Sequence, residues 1–233
     1  MNREKLVSEL NLRGIKCDEK TALQLEQFMH HILSWNEKFN LTAIKDEETF
    51  MEKMIFDSGI ALMDLDLTNK KIIDIGTGAG FPGVVLYLLN PNADITLLDS
   101  TSKKIELLKN YGLDNGYSYK TVTARAEEYA RNNIEKYDYS FARAVAPLNI
   151  LLEISVPLLK VGGTFIALKG PGLEEELNAS KNALNKLNCS IQKVIEDVLP
   201  ESGEVRNIIY ITKNKPTNKK YPRDYKEIKR IPL

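Results

Sequence analysis

An α/β fold of Rossmann-like type is what the sequence predicts: a seven-stranded, mostly parallel sheet with helices on both faces, plus an N-terminal helical extension. Three observations carry this. After Lys71 short apolar runs alternate with helical stretches, five times in succession, which implies parallel strands joined by crossover helices. The last two apolar runs are separated only by "PESGE", Pro200 to Glu204, and read as a hairpin whose final strand inserts antiparallel. The first sixty residues show helical periodicity alone.

In chain order, a short helix is expected around Glu4 to Leu10, followed by a long one within Asp18 to Asn40. There Leu25, Phe28, Met29, Ile32 and Leu33 mark one face and Asp18 can cap the start. His30 and His31 fall in that helix without metal-type partners and read as ordinary structural or surface histidines. A third helix covers Glu47 to Ser58. Strands are expected at Lys71 to Ile75, Ile95 to Leu98, Tyr119 to Thr123, Tyr137 to Arg143, Thr164 to Lys169, Ser190 to Val198 and Asn207 to Thr212. Helices are expected at Phe81 to Leu89, Ser102 to Tyr111, Ala126 to Ile134, Leu148 to Leu159 and Leu173 to Leu187. This divides the chain into a helical extension (1–60), a core (61–212) and a basic C-terminal tail (213–233).

Composition narrows the class. At 233 residues, 43% hydrophobic and 27% charged, the chain resembles an ordinary soluble protein. No segment reaches the roughly 18 uninterrupted apolar residues of a membrane span, and "MNREKLVSEL" lacks the apolar centre of a secretory signal. A cytoplasmic protein, with a monomer as the default, is the expectation. Cys17 and Cys189 are far apart and lack nearby histidines, so neither a disulfide framework nor a metal site is indicated. Net charge is zero, yet residues 213–230 carry eight basic side chains against Asp224 and Glu227. That run reads either as a solvated tail or as a phosphate-binding edge.

The loop "IIDIGTGAGFPGVVL", Ile72 to Leu86, holds two overlapping patterns. Gly76, Gly78 and Gly80 read G-x-G-x-G, which suits S-adenosylmethionine; Gly78, Gly80 and Gly83 read G-x-G-x-x-G, which suits a dinucleotide. Asp74 favours the first. Its carboxylate is expected near any diphosphate bound by the loop, where two negative groups at about 5 Å repel by about 3 kcal/mol at an effective dielectric near 20. S-adenosylmethionine brings an ammonium and a sulfonium instead. Asp99, ending the second strand, is placed to accept from ribose hydroxyls, or alternatively to cap the next helix with Ser100. Ala126 and Glu127 follow the third strand, where an adenine edge would be read; Glu127 alone also suits a helix first turn.

Together "SWNEKFNLTAI" (34–44), "DIGTGAGFPGVVL" (74–86), "LLDSTSKK" (97–104), "RAEE" (125–128), "ARAVAPL" (142–148), "ALKG" (167–170) and "KKYPRDY" (219–225) resemble the RsmG, or GidB, family. These are bacterial methyltransferases acting on N7 of a guanine in 16S ribosomal RNA. The resemblance covers nearly the whole chain. It implies a class I methyltransferase fold with an N-terminal helical extension, S-adenosylmethionine as donor, and cofactor positions at Gly76, Phe81, Ala126, Glu127 and Arg143; Gly78 and Asp99 join them from the loop reading.

The residues agree with that chemistry. The place after the fourth strand reads "FARAVAPL", without the Asn/Asp-Pro-Pro-Tyr/Phe expected for exocyclic amines; no cysteine is placed as a C5 nucleophile; no acid there supports a ribose acceptor. Guanine N7 has an in-plane lone pair and no proton to lose, so no general base is expected and positioning dominates. A carbonyl- or acid-lined pocket would suit the cationic product. Arg143 is expected against the donor, Lys169 at RNA phosphate or guanine O6, and Lys219, Lys220 and Arg223 at phosphates, with Tyr221 available to stack. Competing readings are a class I methyltransferase for another acceptor, an NAD-dependent oxidoreductase, and a non-enzymatic RNA-binding module.

Overall fold

The structure, a computed structural model, describes residues 1–39 and 41–233. Helices α1 (Arg3–Leu12), α2 (Glu19–Phe39) and α3 (Glu47–Phe50) open the chain. Side chains satisfy the free amides of their first turns: Asn2 accepts from Lys5 N at 2.9 Å, Asp18 from Thr21 N at 2.7 Å and Asp46 from Thr49 N at 2.9 Å. Leu25, Phe28, Met29 and Ile32 form the buried face of α2, as its periodicity requires. Asn40, the last residue of the expected helix, lies outside the described residues. After α3 the chain widens into a π-helical run, Met51–Phe56, before α4 (Asp57–Gly59). Such wide turns redirect side chains and recur at functional sites.

Strands β1 (Lys71–Ile75), β2 (Asp94–Asp99), β3 (Lys120–Thr123), β4 (Tyr137–Arg143), β5 (Leu159–Lys169), β6 (Cys189–Val198) and β7 (Val205–Lys213) make one sheet in the order β3-β2-β1-β4-β5-β7-β6. β7 lies between β5 and β6 and runs antiparallel to both; the other pairings are parallel. The strand order reverses between β1 and β4, and a ligand crevice is expected beyond the carboxyl ends at that point.

Helices α5 (Gly83–Leu89) and α6 (Ser102–Asp114) cover one face together with the N-terminal helices. The extension shares its core with the sheet: Leu6, Leu10, Phe28 and Phe56 belong to the same apolar cluster as Ile72 and Leu97. Phe81, from the glycine loop, packs on Phe28 (ring centroids 5.2 Å) and Phe50 (5.6 Å). The other face carries α7 (Ala126–Asn132), α8 (Leu148–Ser155), α9 (Leu173–Ala179), α10 (Lys181–Lys186) and α11 (Tyr225–Arg230).

Among the expected boundaries that shift, three have a local sequence reason or a break at a single residue. The helix expected from Phe81 begins at Gly83, with Pro82 as its N-cap residue. The helix expected through Leu159 ends at Ser155, and a 3-10 turn containing Pro157 completes it; proline supplies no amide to continue the ladder. The helix expected over Leu173 to Leu187 is divided at Ser180 into α9 and α10.

The basic segment is not a free solvated tail, which removes one of its two sequence readings. Lys213 ends β7 fully buried, donating to Leu159 O at 2.8 Å and paired with Glu135 at 3.1 Å. Tyr221, Ile228 and Leu233 are buried in the core beneath α7 and α8. Tyr221, expected to stack on a base, is therefore a packing residue.

Candidate active site

A cavity of about 420 Å³ opens at the carboxyl ends of β1, β2 and β4, at the reversal of strand order. The glycine loop forms its floor. Gly76 (φ +70°) and Gly78 (φ +57°) adopt left-handed backbone that side-chain-bearing residues avoid. A Cβ at Gly76 would fall 2.6 Å from Val145 Cγ2, whereas one at Gly78 would meet only Gly76 O, at 3.9 Å. Backbone bonds from Gly76 N and Thr77 N to Leu98 O, 2.8 and 3.0 Å, hold the loop against β2.

The other two glycines serve packing. A Cβ at Gly80 would lie within 3.0 Å of Phe28, Val84 and Leu108, and one at Gly83 would meet Leu97 at 2.2 Å and Asp74 Oδ2 at 2.7 Å. The overlapping patterns thus separate physically: Gly76 and Gly78 face the cavity, and Gly80 and Gly83 let the loop and α5 close onto their neighbours.

Asp74 departs from its expected place. It is fully buried beneath the loop, and its Oδ2 accepts from Gly83 N at 2.8 Å at the start of α5. Burial pushes its carboxyl up to about 7, with the bond from Gly83 opposing that shift. The preference against a diphosphate survives for a different reason: Asp74 already takes the helix amide that a phosphate would use. It does not line the cavity.

Asp99 stands at the cavity. Its Oδ2 accepts from Gly78 N at 2.9 Å and its Oδ1 from Thr101 N at 2.8 Å. Each carboxylate oxygen keeps a second lone pair for an incoming hydroxyl. The N-cap of α6 is Thr101, so Asp99 braces both the loop and the entry to the helix. Ala126 and Glu127 line the same cavity from the first turn of α7, where amides lack helical partners. Glu127 is buried and paired with Arg125 at 3.1 Å. Phe81 lines the cavity too while remaining 5% exposed within its aromatic cluster.

Arg143 lines this cavity and also a second one of about 450 Å³, toward β5 and β7. It donates to Ser58 Oγ at 3.0 Å and Met54 O at 3.4 Å, and lies 3.5 Å from Asp57 Oδ2. Burial pulls its pKa below the ordinary arginine value, with Asp57 opposing. Lys169 lines the second cavity; its Nζ donates to Ala146 O at 2.9 Å and pairs with Glu176 at 2.7 Å. Arg206 joins there, 3.1 Å from Asp57 Oδ2, and Lys53 pairs with Glu204. The second cavity is thus cation-rich, unlike the carbonyl- or acid-lined pocket expected, although each of these cations has a carboxylate partner.

Of the tail residues, Arg223 is held inside the fold. It donates to Glu153 through Nε (2.8 Å) and Nη2 (2.7 Å), and Glu153 is fully buried. That placement does not suit a phosphate contact. Lys219 and Lys220 are exposed, Lys220 lying 5.1 Å from the Tyr221 ring.

Sequence reasoning missed Met54, Asp57 and Arg206, which reach the two cavities from the helical extension and from β7, and Tyr225, which lines the first cavity from α11. One signal existed for Asp57: it is an acid inside the apolar run "MIFDSGIAL". Nothing local distinguishes Tyr225.

Residues 21–208 match the family described as rRNA small subunit methyltransferase G (GidB). A protein named ribosomal RNA small subunit methyltransferase G from Symbiobacterium thermophilum is 43% identical over 202 residues, 82% of each chain. Its namesake from Caldanaerobacter subterraneus is 41% identical over 236 residues, 99% of this chain and 98% of the relative. In fold, a methyltransferase from Pyrococcus furiosus superposes with a TM-score of 0.54 at 18% identity, over 80% of this chain and 96% of that one.

Proposed function

The chain belongs to the rRNA small subunit methyltransferase G family, and from that premise we propose that it transfers the methyl group of S-adenosylmethionine to N7 of a guanine in 16S ribosomal RNA. The observation that carries this reading is the pairing of the loop-floored cavity, whose residues fit the donor, with a second cavity that shares Arg143 with it. Class I methyltransferases for other acceptors and NAD-dependent enzymes fit less well: the relatives span nearly the whole chain, and Asp74 fills the helix start a diphosphate would take.

The fit to the donor rests on this chain's groups. Gly78, beside which a Cβ would meet only Gly76 O, admits a close backbone approach, Asp99 retains lone pairs for ribose hydroxyls, and the first turn of α7 offers amides to an adenine edge. Arg143, half encircled by Asp57, Ser58 and Met54, is a cation for the donor's carboxylate. S-adenosylmethionine supplies an activated methyl: the N7 lone pair forms the new C–N bond, the C–S pair stays on sulfur, and the positive charge passes to the guanine ring. The protein moves no proton in that step, so its work is alignment and electrostatics.

Lys169, at the mouth of the second cavity, is assigned to RNA phosphate or guanine O6, and Lys219 and Lys220 to phosphates farther out. A working monomer is the reading of the composition alone, and no described helix is long and apolar enough to cross a membrane. A cytoplasmic site of action follows from the ribosomal substrate.

The test is incubation of unmodified small ribosomal subunits with labelled donor, followed by mapping of the modified nucleotide. One label at N7 of a guanine is expected. Label on an exocyclic amine or a ribose would refute the acceptor atom and leave the donor assignment standing.

A further inference from the structure

Tyr225 lies past residue 208, where the family match ends, yet it lines the cavity at the glycine loop. Beside that cavity, along α7 and α11, is a third one of about 750 Å³, and three residues, Arg125, Glu127 and Tyr225, line both. They are the partition between the two. Arg125 Cζ lies 4.2 Å from the centroid of the Tyr225 ring, and Arg125 Nε pairs with Glu127 at 3.1 Å. A guanidinium over an aromatic face fixes the orientation of the ring.

The chain on either side of Tyr225 is anchored. Arg223 is bound to the buried Glu153, Asp224 pairs with Arg131 on α7 at 2.6 Å, and Ile228 is fully buried. The ring is thus held before any ligand arrives, and a ligand that meets it has little ordering to pay for. Its place along the cavity identifies what it can touch. Arg125 follows β3, at the edge of the sheet, whereas Arg143 ends β4, on the far side of β1. Tyr225 therefore stands at the end marked by Asp99 and Ala126, away from Arg143.

Resting on the reading that this cavity takes S-adenosylmethionine, we propose that Tyr225 is a binding residue for the donor's adenine: its ring lies against the purine, and Arg125 holds it there. The amides in the first turn of α7 reach only the purine edge, and an aromatic wall covers what they leave to water. The C-terminal segment is by this a working part of donor binding. Removing the ring opens the adenine end of the cavity into the third one.

The test is calorimetry with S-adenosylhomocysteine and with 5′-methylthioadenosine, which keeps the adenosine and lacks the amino-acid end. Tyr225→Ala should weaken both by about 10-fold, and by the same factor within about threefold, since the purine is common to both. Tyr225→Phe keeps the ring and should stay within about threefold of the unaltered protein. Tyr225→Leu keeps apolar bulk against the cluster that contains Leu148 and Ile228 but has no ring, so it should stay about as weak as Tyr225→Ala. Recovery in Tyr225→Leu would mean packing alone and would overturn the proposal. Weakening of S-adenosylhomocysteine only, or of neither ligand, would overturn it too, as would a Tyr225→Phe protein as weak as Tyr225→Ala. A second arm uses the unaltered protein with S-adenosylhomocysteine bound, where adenine H2 or H8 should show NOEs to the Tyr225 ring. Their absence would sink the proposal even where Tyr225→Ala fails to fold. No binding of S-adenosylhomocysteine by the unaltered protein would instead overturn the donor reading.

Discussion

The glycine loop and the basic C-terminal segment each carry charges that face opposite ways. In the loop region Asp74 is turned inward to Gly83 N while Asp99 stands at the cavity. In the C-terminal segment Lys213 and Arg223 are turned inward to Glu135 and Glu153, while Lys219 and Lys220 face solvent. The difference between inward and outward members is set by what lies across the fold, a helix amide or a buried carboxylate, and not by the local run of charge. Ligand-facing groups are those whose nearest partner leaves lone pairs or protons free.

The sharpest way to break this comparison is to titrate Asp74. Between about pH 4 and pH 7 the folded state keeps a proton that the unfolded chain has released, because the folded carboxyl is raised to about 7. Folding is thus favoured on the acid side, and stability falls as pH rises through 7. Against Asp74→Asn, which has no such proton, the wild type should lose up to about 4 kcal/mol between pH 4 and pH 8 in urea unfolding. Parallel profiles would mean Asp74 is not an inward, neutralised acid.

Next in size is Arg223→Ala, which leaves Glu153 buried without its guanidinium. A loss of about 3 kcal/mol in chemical denaturation is expected. A stability change below about 0.5 kcal/mol would return Arg223 to the exposed class.

Asp99→Ala tests an outward member. It removes the acceptor at the cavity and the brace on Gly78 N, so affinity for S-adenosylhomocysteine should fall about 10- to 100-fold in calorimetry. Smallest is the effect of Lys219→Ala with Lys220→Ala. Stability should stay within about 0.5 kcal/mol, while the salt slope of RNA binding should fall by about 1.5. An unchanged slope would remove both lysines from the interface.

The sheet and the residues that line the cavity at the glycine loop were legible because their signals are local. Strands alternate with helices at short range, the loop needs left-handed backbone at Gly76 and Gly78, and Asp99 follows its strand by position. What the sequence hid depends on long-range pairing. Asp57 meets Arg206 across 149 residues, and Arg223 meets Glu153 across 70. Neither spacing has a local signature, so "KKYPRDYKEIKR" reads as a solvated run or a phosphate-binding edge although it contains the cation that fastens it to α8. Asp74 lies in the segment its motif marks but points beneath the loop to Gly83 N, since burial beneath a loop is a property of packing and not of order along the chain.

The place of β7 between β5 and β6 has a consequence for how the molecule comes into being. On a chain emerging N-terminus first, β6 is complete before its sheet neighbour exists, because among the described strands it pairs with β7 alone. The edge of β5 likewise stays open until Val205–Lys213 has been synthesised, and Tyr225, which lines the first cavity, comes later still. A nascent chain in which β7 and α11 have not yet been made holds a gapped sheet and an unfinished cavity at the glycine loop. The site therefore matures only after both of these late elements have folded onto the rest.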